Sequence, residues 1–172
     1  IRRQRQMCIR DWSNYSAELW NRLTDAVGAG ALSSAMDRLG LQNDAFALAR
    51  AGYLEPARPL NLALAYRNET DYTVWADLSE NLRAYDTLLS GQVCHASFRA
   101  YARSLYQTIY GSLGWDAEDG ESHLTKLLRP MVISLLGRYG DPHVADEALR
   151  RFDQGVRDAT PVVPDLRAAV YG

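Results

Sequence analysis

The sequence has little cysteine, no long apolar run and no excess of charge of one sign. Its 172 residues include two cysteines, Cys8 and Cys94, which lie far apart and form no CxxC pair. Disulfide scaffolds and structural zinc sites use cysteine more densely, so this spacing favours two reduced thiols in a reducing compartment. We therefore expect a cytoplasmic location.

Two of these absences exclude classes of partner. The formal net charge is −2, which provides no broad basic field for nucleic acid or for an anionic membrane. No apolar run approaches the roughly 20 residues of a transmembrane helix. The basic residues 1–10 are not followed by the apolar segment of a signal peptide. We expect neither a nucleic-acid partner nor a membrane span.

Motifs of several catalytic classes are missing as well. None of the three histidines, His95, His123 and His143, begins a His-Glu-x-x-His zinc motif. The Gly-x-Ser-x-Gly elbow, the P-loop and the dinucleotide-binding fingerprint are also missing. The residues therefore predict no catalytic group and no metal ligand in this chain.

What the sequence does contain is helical periodicity, from Ser16 to its end. Apolar residues recur every three or four positions, and glycine or proline marks nearly every joint. We predict an all-α fold, a HEAT-like stack of antiparallel helix pairs, or α-solenoid. The helices are predicted at about 15–27, 41–51, 57–67, 71–89, 93–112, 121–139 and 143–157, with a short segment near 31–38.

One short stretch, residues 5–13, has a strand-like pattern instead. A lone strand cannot satisfy its backbone hydrogen-bonding groups. Either this stretch is irregular, or the rest of its sheet lies in an upstream domain.

The loop before the sixth predicted helix holds the carboxylates Asp116, Glu118, Asp119 and Glu121. Such a cluster can bind a cation or a substrate amine. It can also complement the helix that follows, and we favour this second interpretation, with Asp119 and Glu121 at the cap and in the first turn.

Arg129 is the candidate site residue. It lies five residues beyond Leu124, about 140° around the helix from the apolar stripe, and next to a kink predicted at Pro130. A guanidinium in this place can bind a carboxylate through two parallel hydrogen bonds, or it can form an ordinary salt bridge.

Four separated motifs resemble the C-terminal domain of puromycin-sensitive-type aminopeptidases, which are zinc metallopeptidases of the gluzincin family. The motifs keep the family's order and spacing from about residue 6 to the end. Residues 7–15 resemble the last strand of the family's β-sandwich domain. The motifs are DRLGLQNDAFALARAG at 37–52, DYTVWADLSENL at 71–82, GW, GESHL and LLR within 114–129, and ALRRF at 148–152.

The resemblance implies that residues 1–14 end an upstream β-sandwich domain or form a linker, and that 15–172 form a helical C-terminal domain. This domain is expected to be truncated, with an uncapped apolar face. Its implied function is a non-catalytic part of a zinc-dependent aminopeptidase that removes N-terminal residues from peptides. It would enclose the substrate chamber and contact the peptide, with Arg129 on the peptide carboxylate.

The resemblance also implies the partners and the cofactor. Zinc and its ligands belong to the catalytic domain of the parent enzyme, and none is expected in this chain. The expected partners are that catalytic domain, in the same polypeptide, and the peptide substrate.

Two alternatives stay open. The chain can be an autonomous helical-repeat module for protein interaction. It can also be an independent hydrolase that uses Glu121, His123 and Arg129, although no nucleophile or metal set accompanies them.

Overall fold

The computed structural model describes residues 12–159 and 161–171, and their regular elements are all helical. This confirms the all-α class that the apolar periodicity predicts. The helices are α1 (Ala17–Gly28), α2 (Ala35–Arg50), α3 (Ala57–Leu64), α4 (Tyr72–Leu88), α5 (His95–Leu113), α6 (His123–Arg138), α7 (Pro142–Arg157) and α8 (Arg167–Tyr171). A 3₁₀ turn at Ala65–Asn68 follows α3, and another at Pro164–Leu166 precedes α8.

Serine and aspartate side chains set the starts of five of these helices. Asp71 begins α4, and Asp141, with proline at the first helical position, begins α7. Ser16, Ser34 and Ser122 begin α1, α2 and α6. Each side chain accepts a backbone N–H that the helix itself leaves without a partner, so short polar residues specify the helix register.

The helices stack in two rows, as in an α-solenoid. In one row α2, α4, α6 and α8 contact one another in that order, and in the other α1 contacts α3 and α5 contacts the 3₁₀ turn after α3. α6 packs on α4, α5, α7 and α8. Most of these amphipathic helices thus cover their apolar faces with neighbours that are close in sequence.

Residues 31–51 depart from the predicted pattern. Instead of a short segment followed by a helix at 41–51, a single helix, α2, runs through Gly40. A glycine inside a helix costs about 1 kcal/mol relative to alanine, and the burial of Leu41, Ala45 and Phe46 outweighs this cost. A lone glycine therefore does not end a helix whose apolar face is fully covered.

One other predicted helix differs from the prediction. The helix expected at 57–67 tightens into a 3₁₀ turn after Leu64. α6 continues through Pro130, and the kink expected there stays a prediction.

The strand-like stretch at 5–13 lies almost entirely outside the described residues. Its described end, Trp12 and Ser13, forms no strand, and the backbone N–H of Ser13 donates to the Asp44 carboxylate at 3.2 Å. The assignment of residues 1–14 to an upstream domain or linker, and of 15–172 to one helical domain, stays a prediction.

The centre of the core is a continuous row of aromatic rings, here called the aromatic seam. Neighbouring ring centroids lie 5.2 to 6.3 Å apart. The seam joins α2, α4, α5 and the end of α6, so aromatic packing accounts for many of the rings that lie on the helical stripes. In spatial order its members are Phe46, Tyr85, Phe98, Tyr139, Tyr106 and Trp75.

The polar tips of two seam residues, Tyr106 and Trp75, find partners inside the protein. The hydroxyls of Tyr106 and Ser79 are 2.9 Å apart, and both residues are buried. The indole N–H of Trp75 donates to the carbonyl of Glu69 at 2.9 Å. Because an unpaired buried polar group is destabilising, these bonds restrict how α4 and α5 can pack.

A second buried connection joins α2 to the start of α4. Arg38 donates two hydrogen bonds to the Glu69 carboxylate, at 2.6 and 3.0 Å, and the Glu69 side chain is 3% exposed. Burial alone raises the pKa of Glu69. Hydrogen bonds from Arg38 and from the backbone N–H groups of Asp71 and Thr70 lower it by more, so the net pKa lies below the usual value.

We predict that Ser79→Ala and Tyr106→Phe are coupled. Each single change leaves one buried hydroxyl without a partner, which costs about 1 to 3 kcal/mol. The double variant removes both hydroxyls, so its loss of unfolding free energy should be smaller than the sum of the two single losses. Urea unfolding of the three variants measures this, with the exposed Tyr53→Phe as a near-neutral control. Simple additivity would contradict the prediction.

We also predict that Glu69 makes stability dependent on pH. Its pKa is lower in the folded state, so its contribution is complete above the unfolded-state pKa and is lost as pH falls through the folded-state value. Glu69→Gln should cost about 3 kcal/mol at pH 7, because it removes one charge of a buried pair.

The measurement is urea unfolding of wild type and variant between pH 7 and pH 3. The difference between them should shrink toward acid pH. A constant difference at every pH, or an equal effect from the exposed control Glu55→Gln, would count against this role of Glu69.

Candidate functional site

The structure places Arg129 on the buried face of α6, which corrects the sequence prediction. Its side chain is 4% exposed, whereas Leu124 and Leu127, the start of the predicted apolar stripe, are 50% and 40% exposed. The reason is that Leu128, Val132 and their neighbours, rather than Leu124 and Leu127, face the surrounding helices. Arg129 thus lies within the packed face, where a guanidinium needs partners for its donors.

Those partners come from the two ends of one loop. The Nε–H of Arg129 donates to the carbonyl of Leu113, the last residue of α5, at 3.1 Å. Its Nη1 donates to Glu121 Oε2 at 2.8 Å, and its Nη2 donates to Glu121 Oε1. We call this arrangement the Arg129 clasp, because it holds together the start and the end of the loop between α5 and α6.

The clasp changes the chemistry expected of Glu121. The hydrogen bond from Arg129 is the main cause that lowers the pKa of this carboxyl below its usual value. A lower pKa makes a carboxylate a weaker proton acceptor, which disfavours Glu121 as a general base. His123, at the first position of α6, is exposed. The geometry therefore gives no support to a hydrolase built on Glu121, His123 and Arg129.

The same loop is also held from α7 by Arg151. The Arg151 guanidinium donates to both oxygens of Asp116 at 2.8 Å and lies 4.9 Å from the centre of the Trp115 ring. Its Nε donates to Glu147 at 2.7 Å. The hydrogen bond from Arg151 lowers the pKa of Asp116 below its usual value. Two arginines on different helices thus fix the loop in one position.

The predicted role of the acidic cluster as a helix cap is wrong in detail. The side chain of Ser122, not of Asp119, accepts the backbone N–H of Thr125 at 3.1 Å and caps α6. Glu121 and Asp116 pair with Arg129 and Arg151 instead. A serine directly after the carboxylates was the signal that the sequence contained for this cap.

A cavity of about 290 Å³ lies beside the clasp. Its wall includes the cations Lys126 and Arg129 and the carboxylates Asp116 and Asp165. A guanidinium has five N–H donors, and the bonds to Leu113 and Glu121 use three of those of Arg129. Among the described residues, no hydrogen bond is found for the two remaining N–H groups of Arg129.

The histidines lie apart from this cavity. The ring of His95, at the start of α5, lies 2.7 Å from Asp86 Oδ1 through its Nε2, and His143 is exposed in the first turn of α7. In the described part of the chain, no group of three or more histidine, cysteine, aspartate or glutamate side chains is arranged to hold a metal ion. Over the same residues, no helix is long and apolar enough to cross a bilayer.

Sequence reasoning missed a row of donors on α5. Arg99 donates to the carbonyl of Arg138, Arg103 donates to that of Tyr139 at 2.6 Å, and Gln107 donates to the Asp141 carboxylate at 2.7 Å. The signal was present, since these three residues are four apart and therefore share one helix face. They satisfy acceptors where α6 ends and α7 begins, and cationic side chains suit a helix C-terminus.

The chain is similar to one family of protein domains and to several aminopeptidases. The family model described as "ERAP1-like C-terminal domain" matches residues 13–172. Aminopeptidase M1-A of Oryza sativa subsp. japonica is 37% identical over 168 residues, and Aminopeptidase M1 of Arabidopsis thaliana is 36% identical over 163 residues. The glutamyl aminopeptidase of Rattus norvegicus is 29% identical over 160 residues.

These alignments cover 91% or 92% of this chain but 17% or 18% of the relatives' own length. The chain therefore corresponds to one domain of much longer proteins. With an all-helical stack and a family model that matches nearly its whole length, this chain belongs to the ERAP1-like C-terminal domain family.

Proposed function

We propose that this domain is a non-catalytic wall of a zinc-dependent aminopeptidase that removes N-terminal residues from peptides. In this proposal it encloses the substrate chamber together with the catalytic domain of the same polypeptide, and it contacts the peptide. The observation that carries the proposal is the combination of the family match with a fold in which the carboxylates Glu69, Glu121 and Asp116 are paired with arginines. Zinc and its ligands would belong to the catalytic domain.

A rigid helical stack suits the proposed role. The hydrogen-bonded loop between α5 and α6 and the packed core keep the domain in one shape, which favours a role in enclosing a substrate over a role in catalysis. Enclosing a peptide excludes water and strengthens every electrostatic contact inside the chamber. Movement of the whole wall relative to the catalytic domain would then control entry and release.

Arg129 stays our proposed contact for the carboxylate of a peptide. The two N–H groups that the clasp leaves open, and the cavity of about 290 Å³ beside them, support it. The lowered pKa of Glu121 keeps that partner ionised, so the clasp stays intact while a ligand binds. The expected cytoplasmic location is likewise a proposal.

A second candidate, an autonomous module for protein interaction, has one observation in its favour. The apolar stripe of α7 is largely uncovered by the described residues: Leu149 is 60%, Phe152 is 42% and Val156 is 67% exposed. An exposed apolar stripe is typical of a contact surface. Such a surface is also what a repeat inside a longer stack presents to its neighbour, so it fits the first proposal equally well.

We predict that Arg129→Ala, made in the intact aminopeptidase, affects substrates according to their C-terminus. The value of kcat/KM for long peptides with a free C-terminus should fall about tenfold more than that for a small aminoacyl reporter, because a charge-assisted bond is lost only with the peptide. Steady-state kinetics on both substrates measure this.

Glu121→Gln is the matched control, because it weakens the same clasp but keeps the cation. The assay compares kcat/KM for a peptide with a free C-terminus and for the same peptide with an amidated C-terminus. Glu121→Gln should keep the preference for the free C-terminus, whereas Arg129→Ala should abolish this preference. Equal losses on peptides and reporters, or the same loss of preference in both variants, would show that Arg129 acts through loop position alone.

A further inference from the structure

A second cavity, of about 330 Å³, lies between α1 and α2. This volume is within the range of pockets that hold small organic ligands. The apolar part of its wall includes Leu23 from α1, Leu41 from α2 and Leu32 from the segment between these helices. Leu41 belongs to the buried core, and Leu23 and Leu32 pack against that core, so fixed side chains form this part of the wall.

The charge of this wall has one sign. Its described lining contains the carboxylates Asp37 and Asp44, both on α2, and no lysine, arginine or histidine. The two carboxylates are seven residues apart, which is about two helical turns, so they share one face of the helix. The cavity beside the Arg129 clasp differs, because cations and carboxylates line it together. An apolar wall with carboxylates and no cation favours a cation that carries an apolar group.

Asp44 is partly buried, and none of the described lysines, arginines and histidines pairs with it. Its Oδ2 accepts the backbone N–H of Ser13 at 3.2 Å. An ionised carboxyl group has about four acceptor sites, so one N–H leaves most of them open. Burial is the main cause that raises the pKa of Asp44 above its usual value, and the Ser13 N–H offsets only part of this effect. A cation beside Asp44 would compensate the cost of burying its charge.

An aromatic ring adds to the same preference. Tyr15 lines the cavity, and its ring meets the buried Trp20 edge to face, with 5.1 Å between the ring centroids. A cation that lies over the face of an aromatic ring is attracted to it. Tyr15 and the two carboxylates therefore favour a ligand of the same charge.

We propose that this cavity binds an organic ammonium ion, a primary amine that carries an apolar group. The ammonium group donates to Asp44 and lies near Asp37, and the apolar group packs against the three leucines of the wall. The inference does not depend on the role of Arg129 or on the aminopeptidase proposal, since it rests on the cavity between α1 and α2 alone.

The test is isothermal titration calorimetry of the 172-residue chain with 2-phenylethylamine and with its uncharged analogue, 2-phenylethanol. The amine should bind, and the alcohol should bind at least tenfold more weakly. Asp44→Asn should weaken binding of the amine about tenfold, because it keeps an acceptor for the Ser13 N–H but loses the charge. Asp25→Asn, at an exposed aspartate of α1 outside the described cavity wall, is the matched control and should change binding less than twofold.

A second variant protects the test against a purely electrostatic explanation. Gly40 lies within α2 and lines the cavity, and the space that a side chain would enter there is open. Leucine has a higher helix propensity than glycine, so Gly40→Leu should fold, which urea unfolding verifies. It should fill the cavity and abolish binding while both carboxylates stay in place.

Four results would each overturn the proposal. They are absence of binding by wild type, equal affinity for the amine and the alcohol, an equal effect of Asp44→Asn and Asp25→Asn, and unchanged binding by Gly40→Leu.

The same chemistry can come from a small free amine or from the N-terminal residue of a peptide. Titration with phenylalanyl-alaninamide, with a free and with an acetylated N-terminus, distinguishes these sources. Tighter binding of the free peptide than of 2-phenylethylamine, lost on acetylation, supports a peptide N-terminus, and the reverse order supports a small free amine.

Discussion

The constraint on which this structure depends is that packed helices must cover apolar faces while pairing most of the polar groups that they bury. In the aromatic seam Tyr106 and Trp75 meet both demands, whereas the buried hydroxyl of Tyr139 has no partner among the described residues. The rings of the seam supply large apolar surfaces shared by α2, α4, α5 and α6. The hydroxyl of Tyr106 and the indole of Trp75 bond to Ser79 and to the backbone of Glu69. Any sliding of one helix would break packing and hydrogen bonds together.

Arginines make the second set of connections, and each one joins segments that are separate in sequence. Arg38 ties α2 to the start of α4 through Glu69, and Arg129 closes the loop between α5 and α6 through Glu121 and Leu113. Arg151 ties that loop to α7 through Asp116. The planar guanidinium suits this task, since its fork of donors binds a carboxylate and a carbonyl simultaneously.

This use of charge gives the paired carboxylates a structural role. Carboxylates that are bonded to arginine, such as Glu121 and Asp116, have pKa values below the usual range and are poor proton acceptors. They hold the loop between α5 and α6 in place.

The sequence by itself determined the all-α class, most helix bounds and the absence of a catalytic motif, because apolar periodicity, caps such as Asp141 and motif spacing are local properties. It also contained the motifs on which the resemblance to this family rests, and the comparisons confirm the family. Only the tertiary structure decided that α2 runs through Gly40, that Leu124 and Leu127 are exposed while Arg129 is buried, and that Arg129 bonds Glu121 and Leu113. Periodicity says which residues share a face, but neighbouring helices decide which face is covered, and those neighbours come from distant parts of the chain.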